Sequence, residues 1–393
     1  MTQLPAHMLR DPALLAVLQM LQAGGYQALL VGGAVRNALL GQPVADIDIA
    51  TDARPRRVIE LAAQAGLKSV PTGLDHGTVT IIAHGTGFEV TTFRRDVQTD
   101  GRRAVIAFAD NLEQDAQRRD FTMNALYADA SGRIIDPVGG LPDLRAGHLR
   151  FVGDPGQRIR EDYLRILRFF RFFAWYGRQL DSPALTACRD LRDGLEAISR
   201  ERIGQEMRKL LQAPAPTASL RMMRETGVLD RVLPGAALSR YLGFEELGGT
   251  GALWQGRLAA LSQTDLSDRL RLSRDEARAH KTLVTAMREN WSFNRIAYLL
   301  PAPLAQAAAL LVQTRDSGDD TALTVPQPGW CNAWTTAKAG PLPISARDLQ
   351  PQLDGVQLGR GLKAAENAWI NSGFTLAPSA LIHTAIEAGK ERA

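Results

Sequence analysis

The period of the apolar positions changes several times along the first third of the chain. Between residues 11 and 23, Leu14, Leu15, Leu18 and Leu21 fall on one stripe, which predicts an amphipathic helix. Residues 26–31 form a short apolar strand closed by Gly32-Gly33, and 34–40 form a short helix stopped by Gly41 and Pro43. Residues 45–50 alternate like a strand. A helix follows over 55–65, with Thr51 or Asp52 as its cap and Gly66 as its stop. Strand patterns return at 78–83 and 88–93, and 94–103 reads as a polar, glycine-containing loop. Beyond residue 137 the alternation fades and helical periods dominate, at 161–175, 201–211, 218–225, 257–261, 274–289 and 304–313. The Pro-, Gly- and Trp-rich stretch 324–343 reads as a linker or extended wrap, and a last helical region runs over 346–389. No repeat appears at a solenoid period. The expected fold is α+β. A small mixed α/β head over 1–137 precedes an all-α remainder divided into a neck (138–211), a body (212–323) and a tail (324–393).

Composition narrows this picture. The chain has 393 residues, 45% hydrophobic and 22% charged, as an ordinary soluble protein does, which excludes disorder, collagen-like structure and a disulfide scaffold. Two or three domains are expected, each large enough to bury a core. Cys188 and Cys331 allow no C-x-x-C site and call for no oxidising compartment. The amino end lacks a basic region followed by an apolar run, so no secretory signal is expected. The most apolar stretch, 298–312, is broken by Pro301, Pro303 and Gln306 and is too short for a bilayer. A cytoplasmic protein without membrane contact follows. Net charge is +4, and only six of the 46 basic residues are lysines, a bias that a GC-rich genome also explains. Local charge says more: residues 145–178 hold eight arginines against Asp154, Glu161 and Asp162, a footprint for a polyanion.

The candidate chemistry lies in the head. A strand ending in Gly32-Gly33 and turning into a helix leaves backbone N–H groups open to a phosphate, with Arg36 in the first turn as a charged donor. The run is neither G-x-G-x-x-G nor a Walker loop. Asp46 and Asp48, two apart on a strand, project to one side while Ile47 and Ile49 enter the core. An isolated pair of this kind also reads as two surface acids. Beside the glycine turn it reads as a seat for Mg²⁺, since like charges that close repel unless a cation lies between them. Two such ions suit in-line attack at phosphorus. Glu89, alternating with Thr91 and Phe93, is a candidate third ligand or a plain surface acid.

These residues resemble the nucleotidyltransferase signature of the class II tRNA CCA-adding and bacterial poly(A) polymerase family, G-G-x-V-R-D followed by D-x-D. The chain departs at Asn37, where the family usually has aspartate; asparagine keeps an acceptor there but loses the charge. GLDHGTVTIIAHGTGFEVTTFR and DPVGGLPDL (136–144) resemble further blocks in the family's order. RRDFTMNALYAD (118–129) resembles the segment that contacts ribose and triphosphate, implying such contacts for Arg119, Asp120 and Asn124. Its residues suit that reading: Arg118 and Arg119 offer guanidinium forks, Asp120 can accept from sugar hydroxyls, and Asn124 lies one helical turn later.

In EDYLRILRFFRFFAWYG (161–177), Asp162, Arg165, Arg168 and Arg171 recur every three residues; on one helix the first three share an edge, and Arg171 lies nearly opposite Asp162 as part of a solvated stripe. The resemblance implies that Asp162 and Arg165 select the base. Cytosine and adenine both present an amino donor beside a ring-nitrogen acceptor, which a carboxylate and a guanidinium match; uracil and guanine reverse the arrangement. Arg168 is expected to brace Asp162 or to meet phosphate, and Arg202 and Glu206 to pair within SRERIGQEMRKLL (199–211). Residues 343–373 loosely resemble the family's carboxyl-terminal helices along the RNA. The resemblance thus implies addition of C and A to the tRNA 3′ end, at the acceptor arm, from CTP and ATP. The alternatives are a poly(A) polymerase, an enzyme adding only CC or only A, and an RNA binder with an inert head. D-G-R at 100–102 counts against a CC-only enzyme, and GLDHGTV, lacking the G-R-R-F-like residues of poly(A) polymerases, against that alternative.

Overall fold

A computed structural model describes residues 3–100, 103–109, 111–249, 253–314 and 341–391. Its contacts separate two compact units, Met1–Pro234 and Gly235–Ala393.

The first unit is built on a mixed sheet. Helix α1 (Pro12–Ala23) starts as its sequence predicts: the Asp11 carboxylate accepts the Ala13 N–H at 2.9 Å and proline occupies the first turn. Strand β1 (Leu29–Val31) leads through Gly32 into α2 (Gly33–Leu39). Strand β2 (Asp48–Thr51), helix α3 (Pro55–Gln64), and strands β3 (Lys68–Gly73), β4 (Thr78–Ala83) and β5 (Thr86–Thr92) follow. Strands β6 (Arg94–Asp100) and β7 (Arg103–Phe108) form a separate hairpin where a loop was expected. After α4 (Leu112–Gln117), the two-residue strands β8 (Tyr127–Ala128) and β9 (Ile134–Ile135) complete a seven-stranded sheet in the order β3-β4-β5-β2-β1-β8-β9. Only β2 and β5 pair in parallel; every other neighbouring pair is antiparallel. Helix α3 takes Arg54 as its cap without a side-chain bond, because Thr51 accepts from Ala53 and Asp52 from Gln27 instead.

Helices then cover the rest of this unit: α5 (Gly140–Ala146), α6 (Pro155–Glu161), α7 (Leu164–Tyr176), α8 (Ser182–Asp190), α9 (Arg200–Leu211), α10 (Thr217–Glu225) and α11 (Val228–Val232). Helix α5 lies so close to the turn 122–124 that a Cβ on Gly140 would stand 2.1 Å from the Thr122 carbonyl oxygen, so only glycine fits. Helix α7 buries Leu164, Ile166, Leu167, Phe169, Phe170 and Phe172; Phe169 stacks on Phe151, and Phe121 packs tilted against both.

The second unit is helical among its described residues: α12 (Leu238–Phe244), α13 (Trp254–Leu261), α14 (Arg274–Arg288), α15 (Phe293–Leu299), α16 (Ala302–Gln313), α17 (Ala346–Leu349), α18 (Gly355–Asn371) and α19 (Pro378–Lys390). Ser273 and Glu276 close a reciprocal capping box on α14. Leu349, Leu353, Ala365, Leu381 and Ala385 form the core of the last three helices. No described helix is long and apolar enough to cross a membrane. The proposed linker falls mostly, and the D-G-R run partly, outside the described residues.

Candidate active site

Strand register assembles the site. Asp48 opens β2, with Val31 opposite it on β1 and Glu89 level with it on β5. Val31 runs directly into Gly32, so the glycine turn and two carboxylates share one end of the sheet. Gly32 has φ +67°, a left-handed conformation that favours glycine. A Cβ there would stand 3.4 Å from a terminal nitrogen of Arg119. No side chain caps the start of α2.

Asp46 is not on the strand. It lies in the irregular stretch before β2, so the strand expected over 45–50 begins only at Asp48, and beyond that exposed residue, Ile49, Ala50 and Thr51 are all buried rather than alternating. Ile49 is fully buried, whereas Ile47 is only half-buried. Asp46, Asp48 and Glu89 are exposed at the rim, and a cleft of about 730 Å³ opens beside Asp46, lined in part by Asp11, Pro43, Val44 and Phe88. Desolvation and then the neighbouring Glu89 push the Asp48 carboxyl above its usual range, Asp46 adds to the rise, and Arg119 partly opposes it. A cation would relieve that repulsion, so the residues present fit one. Among the described residues no group of three or more His, Cys, Asp or Glu is drawn into ligating geometry. One or two carboxylates completed by substrate phosphates nevertheless suffice for Mg²⁺.

The arginines are held rather than free. Arg36 is 7% exposed. It donates to the Asn37 side-chain oxygen from Nε at 3.1 Å and from a terminal nitrogen at 2.9 Å, to Asn124, and to the Tyr176 hydroxyl at 3.0 Å; its Cζ lies 4.3 Å from the Tyr176 ring centroid. Arg119 donates to the Tyr127 hydroxyl and to Asp115, both at 3.0 Å. Burial raises the Asp115 carboxyl, but Arg119 and Arg118, with Tyr127 and the Arg94 N–H, outweigh it and hold it at about 2. Asp120 is buried too, and there Arg168, Asn124 and the Phe121 N–H overcome desolvation to hold its carboxyl low. Asn124 sits in a 3-10 turn rather than an α-helix, and its amide donates to Asp120 at 2.9 Å.

The expected single helix over 161–175 is two. Asp162 is extended (φ −155°, ψ 103°) and ends α6, and α7 begins at Leu164. Asp162 therefore does not share a helical edge with Arg165 and Arg168. Its carboxylate accepts the Leu164 N–H at 3.1 Å and pairs with Arg202 at 2.7 Å. Arg165 pairs with Glu161 at 2.6 Å and donates to the carbonyls of Arg158 and Arg118. Arg168 is hydrogen-bonded to Asp120, not to Asp162. Arg171 is no solvated residue: it pairs with Glu206 at 2.9 Å, both side chains largely buried. Arg202 and Glu206 thus each hold a residue of the 162–171 segment rather than each other. Asp115, Tyr127 and Tyr176 were not singled out in the sequence, and Glu206 was expected to pair with Arg202 rather than with Arg171; the signal for the first three was an acid or phenol near an arginine-rich stretch.

Comparison with known proteins follows the same lines. The family of the Poly A polymerase head domain matches residues 28–150, and that described as the probable RNA and SrmB-binding site of polymerase A matches 179–239. A CCA-adding enzyme of Geobacillus thermodenitrificans is 42% identical over 225 residues, 57% of this chain and 54% of that protein. One from Streptococcus gordonii is 42% identical over 218 residues, 55% of this chain and 54% of that protein. In sequence the match thus spans about half the length of these curated relatives. The solved CCA-adding enzyme of Bacillus stearothermophilus in complex with CTP superposes with a TM-score of 0.70 at 30% identity, covering 92% of both chains. An α+β head that carries a carboxylate pair beside a glycine turn, followed by helices, is the architecture of a nucleotidyltransferase. The chain belongs to the family of CCA-adding and poly(A) polymerase-type nucleotidyltransferases, whose members depend on a metal ion.

Proposed function

We propose that the protein adds cytidine and adenosine to the 3′ end of tRNA from CTP and ATP, without a nucleic-acid template, releasing pyrophosphate. The observation that carries this is the register of β1, β2 and β5, which brings Asp48 level with Glu89 beside the Gly32 turn and leaves its carboxylate short of positive charge. In this reading Asp46 and Asp48, with Glu89, hold Mg²⁺, which supplies charge neutralisation at the reacting phosphate. Gly32 and Gly33 receive the triphosphate, and Arg36 contributes its charge from beneath the turn rather than as an open fork. Arg119, Asp120 and Asn124 shape the ribose side, and Asp162 and Arg165, braced by Arg202 and Glu161, present the acceptor and donor that cytosine and adenine match. Arg168 supports Asp120 from the neighbouring helix. The terminal RNA hydroxyl attacks the α-phosphorus and pyrophosphate departs. The helices beyond the head bear the tRNA acceptor arm, with the division into head, neck, body and tail proposed above, and the setting is the cytoplasm.

The second reading, a poly(A) polymerase on the same head, has the match to the Poly A polymerase head in its favour. Gels of tRNA lacking its last one, two or three nucleotides, given each NTP separately, decide between them. Stepwise C, C, A addition that stops supports the proposal. Unlimited A addition supports the polymerase, and CC or A alone a partial enzyme.

A further inference from the structure

Three aromatic residues near the end of α7 line one small pocket, and they are not equally covered. Phe172 is buried, with Arg36 and Arg171 over its ring at 5.1 and 4.4 Å from the centroid. Tyr176 carries Arg36 over its ring. Trp175 is 38% exposed, and among the described residues no cation stands over it. Its indole is nevertheless fixed: Nε1 donates to the Lys209 carbonyl at 2.9 Å, tying the ring to α9. Tryptophan is highly buried on average, so an indole held in place yet open is informative.

The pocket measures about 280 Å³, at the small end of ligand cavities, which suits one planar base better than a whole nucleoside triphosphate. Arg36, Arg171 and Lys209 line it, and no acid does. Arg171 pairs with Glu206, and Arg36 is bonded to neutral groups. Lys209 is exposed, and its ammonium has no partner among the described residues. The uncharged polar groups of the wall are engaged with their neighbours: the Asn37 oxygen accepts from Arg36, its amide donates to the Pro43 carbonyl, and the Tyr176 hydroxyl accepts from Arg36. A ring entering here meets a flat face and positive charge, without the acceptor-and-donor pair that would tell one base from another. The pocket also adjoins the candidate active site on two counts. Arg36 lies 3.7 Å from where a Cβ on Gly33 would stand, and Pro43, bonded to Asn37, lines the cleft beside Asp46.

An incoming base has to be read, and Asp162 and Arg165 offer the means. The end of the growing strand changes with every addition, so its support has to tolerate any base. Stacking on an aromatic face does that, and unpaired RNA ends are commonly held so. We infer that this pocket seats a base from the unpaired 3′ end of the RNA, stacked on Trp175, with Lys209 beside it for the adjoining phosphate. The inference rests on the proposed transfer to an RNA 3′ end and assigns a subsite to the strand being extended, not to the nucleotide being added.

Filter binding without nucleotide compares two RNAs: tRNA lacking only its last nucleotide, and the same tRNA trimmed to the last base pair of its acceptor stem. Wild-type protein binds the first more tightly. Trp175→Ala loses about tenfold in affinity for the first, the scale of one base stacked on an aromatic ring, and less than about twofold for the second. Trp175→Phe, which keeps a flat ring, recovers most of the loss. Lys209→Gln lowers the slope of log affinity against log salt by about 0.7 for the first RNA alone, as one single-strand phosphate contact requires. The KM for CTP stays within about twofold in all three variants. Equal losses on both RNAs, or no loss in Trp175→Ala, overturn the inference, and so does equal wild-type affinity for the two. A loss that appears in the KM for CTP instead also overturns it, since the pocket then takes the incoming base. If wild-type protein binds RNA yet incorporates nothing, the transferase reading fails while the two-RNA comparison still decides for or against the pocket. If it binds neither RNA, both fall.

Discussion

Two sets of acids in the same unit behave in opposite ways. Asp115 and Asp120 are 1% and 7% exposed, each enclosed by arginines and donors that hold its proton affinity low. Asp46, Asp48 and Glu89 stand at an open rim, and there Asp48 is pushed the other way by desolvation and its acidic neighbours. Residue type does not explain the difference, since four of the five are aspartates. Completion does. The buried acids have every oxygen answered from within the chain, so they are parts of the scaffold. The rim acids are answered by little except Arg119, so they await something from outside. Burying a polar group demands partners, whereas an exposed site can leave its charge for a ligand.

The contrast is sharpest in the expected consequences of removing each kind. Asp48→Ala takes away a ligand and leaves no arginine unpaired. It lowers nucleotide incorporation by at least about 10³-fold while RNA binding changes less than about twofold. Filter binding and label incorporation on the same preparation check this, and retained turnover breaks the contrast. Asp120→Asn acts on the fold itself, leaving Arg168 without its counter-charge. A buried pair broken on one side costs about 3–5 kcal/mol, read from urea unfolding.

Acid separates the two sets as well. The Asp115 carboxyl, held at about 2 against an unfolded value near 3.9, contributes stability that is complete above about pH 4. That contribution, about 2 kcal/mol, is lost as pH falls from about 4 to 2, and Asp115→Asn flattens this part of the stability curve. Asp48 has the opposite sign: its raised proton affinity means that its charge costs stability at neutral pH. Asp48→Asn therefore raises the thermal midpoint of the metal-free protein by about 1 °C, a small effect because the carboxylate is open to solvent. A fall in that midpoint removes the like-charge account of the rim.

Much of the head was legible in the sequence because its signals are local. The stripe of Leu14, Leu18 and Leu21, the Gly32-Gly33 turn and the acid at Asp48 each follow from spacing. The edge strand β3 (KSVPTG) was missed because neither face is consistently apolar, and β8 and β9 are too short to show a period. The break at Asp162 was hidden by an apolar run that continues across it. Pairings such as Arg171 with Glu206, or Arg202 with Asp162, join residues 35 to 40 apart and depend on how α7 and α9 pack, which no local pattern records. Arg36 was legible as a charge and illegible as a bonded strut, since its partners Asn124 and Tyr176 come from distant segments.

The most direct test of the rim's role is an anomalous difference map from crystals grown with CTP and Mn²⁺. The account predicts a peak between the Asp46 and Asp48 carboxylates, against the triphosphate oxygens and beside the Gly32 turn. Side chains turned away from the nucleotide, with the manganese bound elsewhere, contradict it.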